Sequence, residues 1–320
     1  MITIKDVQEA RPRIESFIRR TPLLPNDTIS KRLGTNVYLK YEIFQKTGSF
    51  KPRGAFNQIL HLSEKQKEKG VVAVSGGNFA QGVAYAAQML GIRAIVCMPE
   101  YTPKNYINGT KSYGAEIHFA PTFPETFELG RTFEKDGFAF LHAWDNPHQM
   151  AGNGTIGLEL LEDLPEITDV IISIGGGGLI AGNIVAMLNG NSKIRVWGVE
   201  TEGAETMSEA LKAGKVVQYA PTSLAKTLSA SYVAEDALLL CQKHLEELIV
   251  VSDKEAFDAQ VYLLERAKVI TELAASCTLA AADKIRSKLG KHVVLLLCGG
   301  NASLGNMLEY QEKLGLPAPF

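Results

Sequence analysis

From about residue 70 the chain alternates short β-branched runs with stretches whose apolar positions recur at helical spacing. Val71-Val72-Ala73-Val74 reads as a strand, and Phe79, Val83, Ala86 and Leu90 then fall on one face of a helix. Further strands are expected at 94–97, 116–119 and 138–141, separated by helical stretches that can supply crossovers. A second series follows at 170–174, 196–199, 249–251 and 293–297. Its near-continuous apolar strands imply a larger parallel sheet covered by helices on both faces. The fold expected is therefore α/β, with two open parallel-sheet domains: a large one of residues 1–68 plus 147–320, and a small one of residues 69–146. No fixed-period repeat, low-complexity segment or Gly/Ser linker interrupts this pattern.

Composition narrows the partners. The 320 residues are 46% apolar and 21% charged, enough apolar material for a sizeable core. A net charge of −2 offers no basic field, so neither nucleic acid nor an anionic membrane surface is expected as a partner. A small molecule or another copy of the chain remains. No apolar run reaches the roughly 18 to 20 residues that span a bilayer, and Met1-Ile2-Thr3-Ile4-Lys5 is not a secretory leader, so a cytoplasmic location is expected. The four cysteines (Cys97, Cys241, Cys277, Cys298) form no Cys-x-x-Cys pair and read as reduced core thiols. The six histidines show no metal spacing.

Three glycine-rich segments follow or flank apolar strands: Ser75-Gly76-Gly77-Asn78, Gly175-Gly176-Gly177-Gly178 and Gly299-Gly300-Asn301. In an open α/β sheet, ligands bind in the crevice beyond the carboxyl ends of the strands. Glycines there let consecutive N–H groups converge on an anion at a helix N-terminus. Four successive glycines before Leu179 exceed what a turn needs. They also lack the Gly-Lys-Ser/Thr ending of a P-loop and the spacing of Gly-x-Gly-x-x-Gly, so a compact phosphate monoester fits better than a nucleotide. Lys51 stands in Thr47-Gly48-Ser49-Phe50-Lys51-Pro52-Arg53-Gly54-Ala55, where Pro52 can open a helix. A desolvated lysine at such a site is a nucleophile of the kind that forms Schiff bases; on its own it reads more simply as a surface lysine.

Four motifs in order make the pattern specific. Gly48-Ser49-Phe50-Lys51-Pro52-Arg53-Gly54-Ala55, Ser75-Gly76-Gly77-Asn78-Phe79-Ala80-Gln81-Gly82, the tetraglycine, and Leu297-Cys298-Gly299-Gly300-Asn301 resemble the threonine dehydratase and serine racemase family of fold type II pyridoxal phosphate enzymes. Ala151-Gly152-Asn153-Gly154-Thr155 adds to the likeness, which runs over nearly the whole chain. The resemblance implies a fold like that of the tryptophan synthase β chain, with pyridoxal 5′-phosphate in the cleft between the domains. Lys51 would hold the cofactor aldehyde as an imine and take the substrate's α-proton, with Phe50 against the ring. Asn78 would bond the ring hydroxyl, Gly175, Gly176, Gly177 and Gly178 with the Leu179 N–H would hold the phosphate, and Cys298 would face the pyridine nitrogen. Ser75 and the amides of Gly76, Gly77, Asn78 and Phe79 would take the substrate carboxylate.

The activity so implied is a lyase, an ammonia-lyase (dehydratase) turning L-threonine, L-serine or a related β-hydroxy amino acid into a 2-oxo acid and ammonia. Serine racemase, 3-hydroxyaspartate dehydratase and a non-catalytic cofactor-binding protein are the alternatives. Racemases resemble one another in a serine where this chain has Gly76, so racemisation should be slow. Phe79 replaces a usual histidine. Lys226 stands where an aspartate is common and, if it faces the site, favours an acidic substrate. Cation-binding relatives place an acid where this chain has Thr206, near Glu200 and Ala204, which leaves a divalent cation open and no metal ligand assigned. Glu272 matches a glutamate near the ring. A homodimer or homotetramer is expected.

Overall fold

The computed structural model describes residues 1–317 and contains ten strands. They are β1 (Leu23–Pro25), β2 (Asn36–Lys40), β3 (Val71–Val74), β4 (Ala94–Pro99), β5 (Glu116–Ala120), β6 (Ala139–Leu141), β7 (Asp169–Ser173), β8 (Arg195–Thr201), β9 (Leu245–Val251) and β10 (His292–Leu296). They build two sheets, one of six strands in the order β1-β2-β10-β7-β8-β9 and one of four in the order β5-β4-β3-β6. The smaller is parallel throughout, and the larger is parallel except that β1 runs antiparallel to β2 at its edge. The expected α/β class with two parallel-sheet domains is what the chain adopts.

Burial explains which strands the hydrophobic pattern reveals. β3, β4 and β7 are buried along their whole length, as strands covered by helices on both faces must be, and each is an unbroken apolar run apart from Asp169 and Ser173. β9 is an edge strand whose first residues, Leu245, Glu246 and Glu247, are partly or fully exposed, so the apolar run at 249–251 marks only its buried half. β1 and β2 lie outside the expected series. β1 is three residues long with an exposed flank, and β2 ends on Lys40, which is buried only because Glu159 pairs with it at 2.6 Å.

Helices pack the sheets and aim their loops. The helix Lys51–Leu60 starts with Pro52 in its first turn, where the missing N–H costs nothing, and buries eight of its residues. It packs on the helices Asn78–Leu90 and Pro147–Asp163. Glycines permit the closest crossings: a side-chain carbon at Gly82 would lie 3.1 Å from Lys51 Cβ, and one at Gly154 would lie 2.7 Å from the Gly182 carbonyl. β3, β7 and β10 end at the three glycine-rich segments, which puts all three at carboxyl ends of parallel strands.

Candidate active site

The segment before Lys51 is stitched to the end of β10. Phe50 N–H donates to the Cys298 carbonyl at 3.0 Å, and Gly300 N–H donates to the Gly48 carbonyl at 2.9 Å. Thr47 and Gly48 both have positive φ, 63° and 71°, so the chain turns sharply into the helix that carries Lys51. Lys51 Nζ donates to the Ala143 carbonyl at 2.9 Å and lies 5.0 Å and 5.5 Å from the ring centres of Phe50 and Phe79. The residue keeps some surface toward the crevice, but its amine is densely surrounded by protein. Loss of water pushes the amine down to about 8, against smaller opposing effects of Cys298 and Glu272.

Gly175, Gly176, Gly177 and Gly178 lead into the helix Gly178–Gly190, with Gly177 at a φ of 88°. Among the described residues, the N–H groups of these four glycines and of Leu179 have no hydrogen-bond partner. Five unpaired donors at a helix N-terminus make an anion cradle. Side chains are excluded from it: a carbon at Gly176 would overlap the Trp144 ring, and one at Gly178 would lie 2.8 Å from the Trp144 carbonyl.

Asn78 opens the helix Asn78–Leu90 and is held from both ends of its amide. Its Nδ2 donates to both oxygens of Glu272 at 2.9 Å, and its Oδ1 accepts from Asn301 Nδ2 at 2.8 Å. Glu272 also accepts from Thr227 Oγ1 at 2.8 Å and from Asn301 N–H at 3.0 Å. Burial raises its carboxyl above the ordinary range, and these donors oppose the rise. Cys298 lies at the end of β10 with its Sγ 3.4 Å from Ser173 Oγ. Burial pushes its thiol up to about 12, so it is neutral at physiological pH.

The 75–79 loop caps the same crevice from the smaller sheet. Ser75 N–H donates to the Cys97 carbonyl at 3.0 Å, and Gly77 N–H donates to Ser75 Oγ at 3.1 Å. Gly76 lies against Thr102, and Gly77 lies against Thr227, whose Cγ2 would be 3.5 Å from a side-chain carbon there. Phe79 is buried in the core beneath the smaller sheet with its ring toward Lys51.

The sequence leaves two points open, the direction of Lys226 and a cation near Glu200. Lys226 is exposed, and it is the next residue, Thr227, whose hydroxyl reaches Glu272, so the cation raised as a contact for an acidic substrate does not line this network. Around Glu200 the donors are wrong for a hard cation. Its oxygens accept from Met207 N–H at 2.6 Å, Ser208 N–H at 2.9 Å and the Ser208 hydroxyl at 2.7 Å, while Thr206 Oγ1 donates to the Ala230 carbonyl. Burial raises Glu200 to about 7. A cation would have to compete with these three donors, and Thr206 offers no carboxylate to help hold it, so these residues do not fit one.

Several neighbours of Lys51 escape a reading by motif. Ala143 acts through its carbonyl, which no residue type announces. Trp144 packs on the tetraglycine from a strand-to-helix connection without glycines. Thr227 joins Asn78 through Glu272, and Asn301 bonds both Glu272 and the Asn78 side chain. The polar residues flanking β6 and β10 were the available signal.

Comparison with known proteins agrees with this geometry. The family described as Pyridoxal-phosphate dependent enzyme matches residues 14–299. L-threonine ammonia-lyase of Thermotoga maritima is 41% identical over 320 residues, 99% of this chain and 79% of that protein. The structure of maize serine racemase superposes with a TM-score of 0.92 at 32% identity, covering 98% of each chain. The processed threonine deaminase isoform 2 of Solanum lycopersicum gives 0.91 at 30% identity, covering 98% of this chain and 88% of that one. A match spanning most of the sequence, set on a buried lysine and a tetraglycine cradle, leaves one conclusion: the chain belongs to the pyridoxal-phosphate dependent enzyme family.

Proposed function

We propose that this chain is an ammonia-lyase that converts L-threonine, L-serine or a related β-hydroxy amino acid into a 2-oxo acid and ammonia. The observation that carries the reading is the Lys51 amine, desolvated beside two aromatic rings and bonded, among the described residues, to a neutral carbonyl alone, at a crevice that also holds the anion cradle of residues 175–179. The relatives named as threonine ammonia-lyase and threonine deaminase support the same reaction class.

The residues present fit pyridoxal phosphate. Among the described residues, N–H groups of 175–179 without a hydrogen-bond partner suit its phosphate, and an amine without a salt-bridge partner suits its aldehyde. When bound, the cofactor supplies an electron sink for the carbon that carries the substrate's amino group. Lys51 would hold the cofactor, and its amine would take the proton from that carbon, which its lowered basicity suits at neutral pH. Phe50 and Phe79 keep water from the amine. Asn78, fixed by Glu272 and Asn301, would meet the ring hydroxyl, and the neutral Cys298 thiol would meet the ring nitrogen. A thiol is a weak donor and acceptor, so Cys298 would give that nitrogen little help in holding a proton. Ser75 and the amides of Gly76, Gly77, Asn78 and Phe79 form the loop that receives the substrate carboxylate.

Residues 69–146 would act as the unit that closes over the substrate, and 1–68 with 147–320 as the unit that holds the cofactor. The exposed apolar side chains of Ile270, Leu304 and Leu308 suit association of further copies into a homodimer or homotetramer. Four free, buried thiols suit a cytoplasmic location. A panel assay tests the substrate class: the cofactor-loaded chain should release 2-oxo acid from L-threonine or L-serine faster than from 3-hydroxyaspartate. Release of 2-oxo acid from none of these would overturn the assignment, and preference for 3-hydroxyaspartate would move the substrate to that acid.

A further inference from the structure

Thr102 sits on the turn between β4 and the helix Lys104–Ser112, its N–H donating to the Pro99 carbonyl at 3.0 Å. The residue is 6% exposed, and its hydroxyl oxygen is sealed from solvent without a hydrogen-bond partner among the described residues. Folded proteins pair nearly all buried polar side-chain atoms, so an unpaired hydroxyl beside a ligand crevice points to a ligand.

Its surroundings give the sign of that ligand. A side-chain carbon at Gly76 would lie 2.6 Å from Thr102 Oγ1 and 3.5 Å from its Cγ2, so Thr102 fills the space that a side chain at 76 would take. The neighbours are donors. Among the described residues the N–H groups of Gly76, Asn78 and Phe79 carry no partner, at the start of a 13-residue helix. Ser75 Oγ accepts from Gly77 N–H, which leaves its own O–H free to donate. A group of donors at the positive end of a helix lacks an anion.

We propose that Thr102 is a substrate-binding residue whose hydroxyl donates to the α-carboxylate of the amino acid held at the 75–79 loop. The assignment of that anion as an amino-acid carboxylate rests on the ammonia-lyase reading. The carboxylate does not react, so the contact is equally strong in the ground and transition states, and its loss raises KM while kcat stays near wild type. Glycine at 76 has a reason on this account: it makes room for the Thr102 hydroxyl.

The test uses the cofactor-loaded Thr102→Val and Thr102→Ser variants. Valine keeps the shape and removes the hydroxyl, and serine keeps the hydroxyl. One readout is KM for L-threonine. The other is the dissociation constant of L-alanine, which carries the carboxylate but no β-hydroxyl to lose, followed by the change it causes in the cofactor's visible absorbance. In Thr102→Val both should rise roughly 10- to 100-fold, the worth of a hydrogen bond to a charged group. Thr102→Ser should stay near wild type. A valine variant within about twofold of wild type on both readouts, or a serine variant as impaired as valine, would overturn the proposal. If no β-hydroxy amino acid yields a 2-oxo acid but L-alanine binding still depends on the hydroxyl, the ammonia-lyase reading fails and the Thr102 assignment stands.

Discussion

At the scale of single residues, Lys51 carries the most testable chemistry. Its amine is lowered to about 8, chiefly because burial disfavours the charged form, and only the neutral amine attacks an aldehyde. The chain freed of cofactor should therefore capture pyridoxal phosphate faster as pH rises, levelling off above about 8 rather than near the ordinary lysine value. In Lys51→Ala the borohydride-reduced protein should show no added cofactor mass, and elimination should be lost with it. A stable adduct on another lysine in that variant would show the assignment to be wrong. The motif around Lys51 is legible from sequence because it is contiguous. Cys298 and Glu272 are legible with it through the likeness of their own segments, whereas Ala143, 92 residues away, acts through its carbonyl and meets Lys51 only through the fold.

At the scale of elements, the helix Lys51–Leu60 is anchored by a buried charge cluster two residues past the lysine. Arg53 is fully buried and bonds Glu42 through Nε at 2.9 Å, Glu159 through Nη1 at 2.7 Å and Thr155 through Nη1 at 3.0 Å. Burial opposes its charge, and the two carboxylates more than offset that, holding the guanidinium charged. These contacts tie the helix to the turn after β2 and to the helix Pro147–Asp163. Among the described residues, Arg53→Met leaves buried Glu42 with no basic side-chain partner and Glu159 with Lys40 alone, and should cost about 3–5 kcal/mol. A lowered midpoint of urea unfolding would register it; an unchanged midpoint would contradict the role. The elements themselves were partly readable in advance. Eight strands were expected in place; the central ones show as apolar runs because parallel strands there are buried on both faces, while the edge strands β5 and β9 carry a weaker pattern. β1 and β2 were not expected, because a three-residue edge strand and a strand ending in a paired lysine carry little apolar signal.

At the scale of the whole molecule, two sheets present their carboxyl-end loops to one crevice, and the account stands on what that crevice does to an amino acid. The tetraglycine and the order of motifs mark the family in the sequence, but the choice between elimination and racemisation depends on which groups flank the reacting carbon. Gly76 offers no side chain there. Thr102 lies against it, so a serine at 76 would need Thr102 to move. Racemisation requires a proton removed on one face and another delivered on the other, and Lys51 supplies only one of the two. The most direct test is to give the cofactor-loaded chain L-serine and measure pyruvate, ammonia and D-serine together. The account predicts pyruvate and ammonia in equal amounts with little D-serine. A ratio of D-serine to pyruvate near or above one would contradict it.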